Sequence, residues 1–149
     1  MQKKLIYIAL AVCTFVLFSC SAARDILHDG YYSAEMAEFD NYGWKEYITI
    51  RVSGGRIVFM EYDAFNLSGF LKSWDINYMR VMNATDGIYP NAYTRQYARM
   101  FLDSQGTEGV DVISGATHSY HTFIKLSEAA LANARQRNSR TALVHRDSG

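Results

Sequence analysis

Two alternating runs on either side of a Gly-Gly pair limit the fold more than any other feature of the chain. In residues 45–53, Ile48, Ile50 and Val52 share one face, and Tyr47, Thr49 and Arg51 share the other. That is the period-two pattern of a half-buried strand. Residues 56–64 form a second β-rich run, and Gly54 and Gly55 can both take the positive φ that a two-residue hairpin turn requires. An earlier alternation sets Tyr32, Ala34 and Met36 against Ser33 and Glu35 and predicts a preceding strand. Asp40-Asn41-Tyr42-Gly43 is turn chemistry. Beyond the hairpin the period changes. Ser73-Trp74-Asp75 reads as a helix start with Ser73 as N-cap, and Tyr78, Met79 and Met82 recur at helical spacing as far as Asp86-Gly87. Pro90 suits a first helical turn. Tyr93, Tyr97, Met100 and Phe101 then continue an amphipathic helix that ends before Gly106. Residues 110–113 are a short apolar run expected as a strand or strand-like entry. A last helix is expected from His118 to about Arg137, with Tyr120, Phe123, Ile124, Ala130, Leu131 and Ala134 on its apolar face. Strands first and helices later predict an α+β fold: an antiparallel sheet with an N-terminal hairpin, packed against two or three helices.

The 149 residues suffice for one domain. Hydrophobic content of 49% against 20% charged residues is that of a globular chain, and a formal net charge of zero gives no nucleic-acid footprint. The N-terminus has a different logic. Lys3 and Lys4 precede an apolar run over residues 5–18, too short for a comfortable membrane span, and the run ends in Ser19-Cys20. An ordinary secretory signal and a lipoprotein signal both have this form. Leu17-Phe18-Ser19-Cys20 resembles the bacterial lipobox, in which the Cys20 thiol receives diacylglycerol. On that reading residues 1–19 are a signal peptide and residues 20–28 a tether anchored at Cys20. The folded domain spans residues 29–137, and residues 138–149 are a polar tail expected to be disordered. Cys13 leaves with the signal and Cys20 is acylated, so no thiol remains for a disulfide and packing alone must hold the domain. Ser21 is compatible with outer-membrane sorting.

The stretch Asp111-Val112-Ile113-Ser114-Gly115-Ala116-Thr117 carries the chemistry. It places a small-residue turn before a helix N-terminus, where free N–H groups and the helix dipole make an anion site. Gly115 and Ala116 let a phosphate approach the backbone, and Ser114 and Thr117 add hydroxyls. The same residues also suit a plain helix start capped by Ser114 or Thr117.

Asp-x-x-Ser-Gly-Ala-Thr is similar to the acceptor motif of the FMN-binding domain family. That family includes the flavin-bearing subunits of sodium-pumping NADH:quinone oxidoreductase and of Rnf-type complexes. The resemblance covers nearly the whole chain from about Asp29 to Ala134. It takes in Asp29-Gly30-x-Tyr32, residues 40–44, Gly55-Arg56-Ile57-Val58 and, more loosely, Gly69-x-x-Lys72-Ser73-x-Asp75-x-x-Tyr78. The chain most resembles the single-domain FMN-binding lipoproteins described as membrane immunogens. The resemblance implies FMN joined by a flavin transferase through a phosphodiester to Thr117, with Asp111, Ser114, Gly115 and Ala116 read by the transferase and the phosphate. His118-Ser119-Tyr120 departs from the Thr-Ser or Ser-Ser that often follows the acceptor in that family.

Other residues carry weaker signals. Lys72 suits either the flavin and its phosphate or a surface ion pair with Asp75. Trp44 and Trp74 are candidates to stack on an isoalloxazine, with core packing the default for any single aromatic. His118 and His121 lie three apart on a helix, but no carboxylate or Cys accompanies them, so no metal site is assigned. Neither a Ser-His-Asp nor a Cys-His set is apparent, and no catalytic residue is assigned. The implied function is a lipid-anchored flavoprotein of the bacterial cell envelope, facing the periplasm or the exterior, that carries electrons between unidentified redox partner proteins. The alternatives are a non-catalytic surface lipoprotein (antigen, adhesin or scaffold) and a reversible FMN binder.

Overall fold

The computed structural model describes residues 26–146; Cys20 and the signal lie outside the described residues. The chain runs β1 (Gly30–Met36), β2 (Lys45–Ser53), β3 (Arg56–Phe65), a single 3-10 turn (Lys72–Trp74), α1 (Ile76–Asp86), α2 (Pro90–Ser104), α3 (Thr117–Gln136) and β4 (Ala142–Val144). The four strands form one sheet in the order β3-β2-β1-β4. β1, β2 and β3 are antiparallel neighbours, and β4 joins β1 in parallel. This is the expected α+β architecture.

The hairpin forms where the sequence places it, with Gly54 and Gly55 at φ 60° and 70°. Its ladder slips between Arg51 and Val52: Arg51 pairs with Phe59, but Val52 pairs with Ile57. Val58 is therefore an extra residue on β3, and this bulge turns both Ile57 and Met60 into the core. Gln105, the αL cap of α2, clamps the same spot. Its side chain accepts from Ile57 N–H and donates to Ile57 C=O, both at 2.9 Å.

α3 packs across β1 and β2, and α2 across β3. Between them lies an aromatic cluster in which Phe123 sits 4.9 Å from the Tyr62 ring, 5.2 Å from Tyr97 and 6.0 Å from Phe101. α1 is different, for none of its residues is buried.

Three local expectations are corrected. Ser73 is not a helix N-cap. It lies buried in the 3-10 turn, where the Asp63 carboxylate accepts from its amide and its hydroxyl, and Asp75 caps α1 by accepting from Tyr78 N–H at 2.9 Å. Residues 110–113 are a loop, because the Ile113 amide is taken by the Tyr97 hydroxyl rather than by a strand. The tail beyond Asn138 contains a strand. Asn133 donates to Arg140 C=O at 2.8 Å, Asn138 bonds back to Asn133, and the reversed chain docks on the free edge of β1.

Candidate functional site: a pocket at the start of the last helix

The loop before α3 is held from below by one side chain. The Tyr97 hydroxyl accepts from Ile113 N–H and donates to Ala116 C=O, each at 3.1 Å, and Ala116 N–H closes the turn onto Ile113 C=O at 3.0 Å. Val110 and Ala116 are buried, whereas Asp111, Ser114, Gly115 and Thr117 face solvent. Gly115 has φ +79°, and a Cβ there would lie 2.8 Å from both the Asp86 carbonyl oxygen and Ile88 Cγ2. Its role is thus to let the turn close against the α1–α2 connection, in addition to any approach by a ligand.

The capped-helix reading of this turn is corrected too. Ala116 occupies the N-cap position and no side chain caps the helix. Neither Ser114 nor Thr117 takes the first-turn N–H groups, which stay available to an anion. Thr117 is the first residue of α3, and its exposure suits modification by another protein.

Beside this turn lies a pocket of about 530 Å³, within the range of small-molecule and cofactor sites. Gly115, Ala116, His118 and Ser119 form one wall. Phe39, Asp40, Asn41 and Tyr42 come from the β1–β2 connection, Tyr78 and Met82 from α1, and Tyr93 from α2. Lys72 and Arg146 complete it. Lys72 Nζ stands 4.9 Å from the Tyr78 ring centre and 5.9 Å from that of Trp44. Asp75, its expected ion partner, is occupied as the cap of α1. The acid among the lining residues, Asp40, accepts from the Tyr42 and Trp44 amides through Oδ1 at 2.9 and 2.8 Å. The lining is cationic and aromatic, and it suits a flat ring joined to an oxyanion.

Of the expected site residues, Lys72, Gly115 and Ala116 line the pocket, Ser114 and Thr117 flank it in sequence, and Asp111 stands exposed on the loop. Neither tryptophan lines it. Trp44 is buried edge-on against Tyr78, and Trp74 points outward at 61% exposure. Phe39, Tyr42, Tyr78 and Tyr93 are the aromatics that do. His118 and His121 share a second pocket with Lys125 and Arg146.

A buried polar group that no sequence signal marks lies behind Ser119 in the core. The Tyr62 hydroxyl lies 2.7 Å from Glu46 Oε1 and 3.1 Å from the Ser119 carbonyl. Burial first, then the Glu46 charge, holds the Tyr62 phenol well above the usual tyrosine range. Burial likewise raises Tyr93 and Tyr97, and it pushes Tyr47 up to about 12. These phenols stabilise the fold in their neutral form, so that stabilisation is complete below the ordinary value of 10.0 and is lost as pH rises through the folded values. Tyr47, Tyr62, Tyr93 and Tyr97 should therefore ionise only above the ordinary phenol value, coincident with loss of near-ultraviolet circular dichroism. A single phase at the ordinary phenol value, with the fold intact, would contradict this.

Fold and pocket together define a small α+β domain with a cationic, aromatic pocket at the start of its last helix. No model of a known protein family matches the chain. It is 37% identical over 136 residues to the 15 kDa lipoprotein of Treponema pallidum (strain Nichols), covering 91% of this chain and 95% of that one. The crystal structure of the CPE2226 protein from Clostridium perfringens superposes with a TM-score of 0.78 at 35% identity, over 81% of this chain and 99% of that one. The chain belongs to the lipoprotein family that the Treponema protein represents. No helix among the described residues is long and apolar enough to cross a membrane.

Proposed function

We propose that this protein is a lipid-anchored component of the bacterial envelope, tethered at Cys20, whose domain carries FMN esterified to Thr117. The observation that carries the reading is the cationic, aromatic pocket beside the uncapped start of α3, adjoining the Asp-x-x-Ser-Gly-Ala-Thr sequence. Two buried nitrogens of the Arg146 guanidinium, Nε and Nη2, have no hydrogen-bond partner among the described residues, as expected of a site that receives an oxyanion. FMN, when bound, supplies one- and two-electron transfer. The chain's own residues have narrower tasks. Thr117 Oγ1 would be the acceptor, exchanging its O–H bond for an O–P bond to FMN as a flavin-dinucleotide donor held by the transferase breaks at its pyrophosphate and releases a nucleoside monophosphate. Lys72, Arg146 and the first amides of α3 would hold the phosphate charge, and Tyr42, Tyr78 and Phe39 would shield the ring from water.

On this reading the anchor and the acceptor lie at opposite ends of α3. His28 N–H bonds Ala134 C=O near the end of α3, so the chain enters about 25 Å from Thr117 at 1.5 Å per helical residue.

A second reading has its own support. Kinship with the 15 kDa lipoprotein of Treponema pallidum speaks directly for a lipoprotein, and a surface lipoprotein without redox chemistry is compatible with it. Intact mass of the full chain, expressed with a flavin transferase and extracted in detergent, separates the two. We expect a gain of FMN less one water that disappears in Thr117→Ala, alongside the acyl increment on Cys20. Acylation with no flavin increment and no flavin absorbance would establish the surface-lipoprotein reading instead.

A further inference from the structure

β4 lies where the sequence predicts a disordered tail, and it brings Arg146 to the pocket. β4 pairs with β1 through Ala34–Ala142, Glu35–Leu143 and Met36–Val144, and Ala37 N–H extends the ladder to Val144 C=O at 2.9 Å. His145 Nδ1 meets Glu38 Oε1 at 2.7 Å. Arg146 follows at once, where the ladder ends beside the start of α3. Arg146 lines both pockets, beside Lys72 and His118 in one and His118 and His121 in the other. A guanidinium has five donors and no acceptor, arranged as a fork that matches two oxygens of a phosphate or carboxylate. Burying such donors without partners is unfavourable. The Asp40 carboxylate across the pocket already serves two backbone amides. Nε and Nη2 of Arg146, buried and unpartnered among the described residues, form the edge of the fork that takes two oxygens side by side.

We propose that Arg146 is the oxyanion-binding residue of the pocket and grips the phosphoryl group of its ligand bidentately. β4 is then the strap that holds it in place. The inference rests on the reading that the pocket receives a flavin phosphate, and it deepens that reading by assigning the phosphate to the C-terminal segment.

The test uses the full chain in detergent, produced without flavin transferase, so that binding is reversible. FMN and riboflavin, which differ only by the phosphate, are titrated by flavin fluorescence. Inorganic phosphate is titrated separately by its effect on Tm. FMN is expected to bind more tightly than riboflavin. Arg146→Gln should weaken FMN roughly 10- to 100-fold, as expected for loss of charge-assisted hydrogen bonds, and leave riboflavin unchanged. Arg146→Lys should recover part of the loss. Tm without ligand shows whether each variant is folded. An FMN-to-riboflavin ratio unaltered by Arg146→Gln overturns the proposal even if Thr117 is flavinylated. If neither flavin binds, but phosphate raises the Tm of the parent and not of Arg146→Gln, the anion site stands and the flavin reading falls. If phosphate raises neither, the proposal falls as well.

Discussion

Gly115→Ala is expected to destabilise the domain by about 2–4 kcal/mol and to reduce flavin loading at Thr117 by more than tenfold. A side chain at φ +79° alone costs roughly 1–3 kcal/mol. The added methyl would also stand 2.8 Å from the Asp86 carbonyl oxygen and from Ile88 Cγ2. The Ile88 methyl can give way, but the carbonyl is fixed by the end of α1. The turn must therefore open, and opening it pulls Ala116 from the Tyr97 hydroxyl and shifts the start of α3. Gly106→Ala is the control, since a Cβ there meets nothing within 4 Å. Urea unfolding of both variants checks the expectation, and equal stability of the two would refute it.

Phe123→Ala should cost about 3–5 kcal/mol, the usual range for deleting a fully buried aromatic side chain. That corresponds to a fall in Tm on the order of 10–20 °C for a domain of this size. Phe123 has no exposed surface and is ringed by Tyr62, Tyr97 and Phe101. Tyr62 and Tyr97 are tied by hydroxyl bonds to the Ser119 and Ala116 carbonyls, so they cannot collapse into the void without breaking those bonds. The cost should lie at the upper end of the range for that reason. A loss under about 1 kcal/mol would show that the cluster repacks freely.

The two variants probe one mechanical unit from opposite sides. Phe123 supports Tyr97, Tyr97 supports the loop from Ile113 to Ala116, and Gly115 lets that loop seat against the α1–α2 connection. Stability and loading should fall together in both. Thr117→Ala, by contrast, removes an exposed hydroxyl and should leave stability within about 0.5 kcal/mol of the parent.

Elements whose signals lie within a few residues of one another were legible. The hairpin needed only two alternating runs and two glycines, and the helix from Pro90 only its first-turn proline and its apolar stripe. Signals that several positions could satisfy were not. Ser73 and Asp75 are both good caps. Asp63, ten residues upstream, binds Ser73 and leaves Asp75 to the helix. Val110 to Ile113 are as apolar as a strand, yet β3 and β4 form the sheet edges and Tyr97 takes the Ile113 amide. Among the site residues, the acceptor stretch and Lys72 could be picked out one by one. Arg146 could not, because nothing around it in sequence says that it is held.

What the sequence determined by itself is therefore the alternation that makes β1, β2 and β3, the helical periods that follow, and a small-residue turn ending in a hydroxyl at a helix start. These depend on backbone sterics and on which side chains avoid water, and both act over a few residues. Only the tertiary structure decided that Ala142–Val144 is a strand, since three residues cannot hold a ladder without the open edge of β1 beside them. It also decided the pocket, whose walls come from residues near 40, 72, 80, 93, 117 and 146. Their meeting depends on long-range packing between α3, the sheet and the returning chain, and no local pattern encodes it.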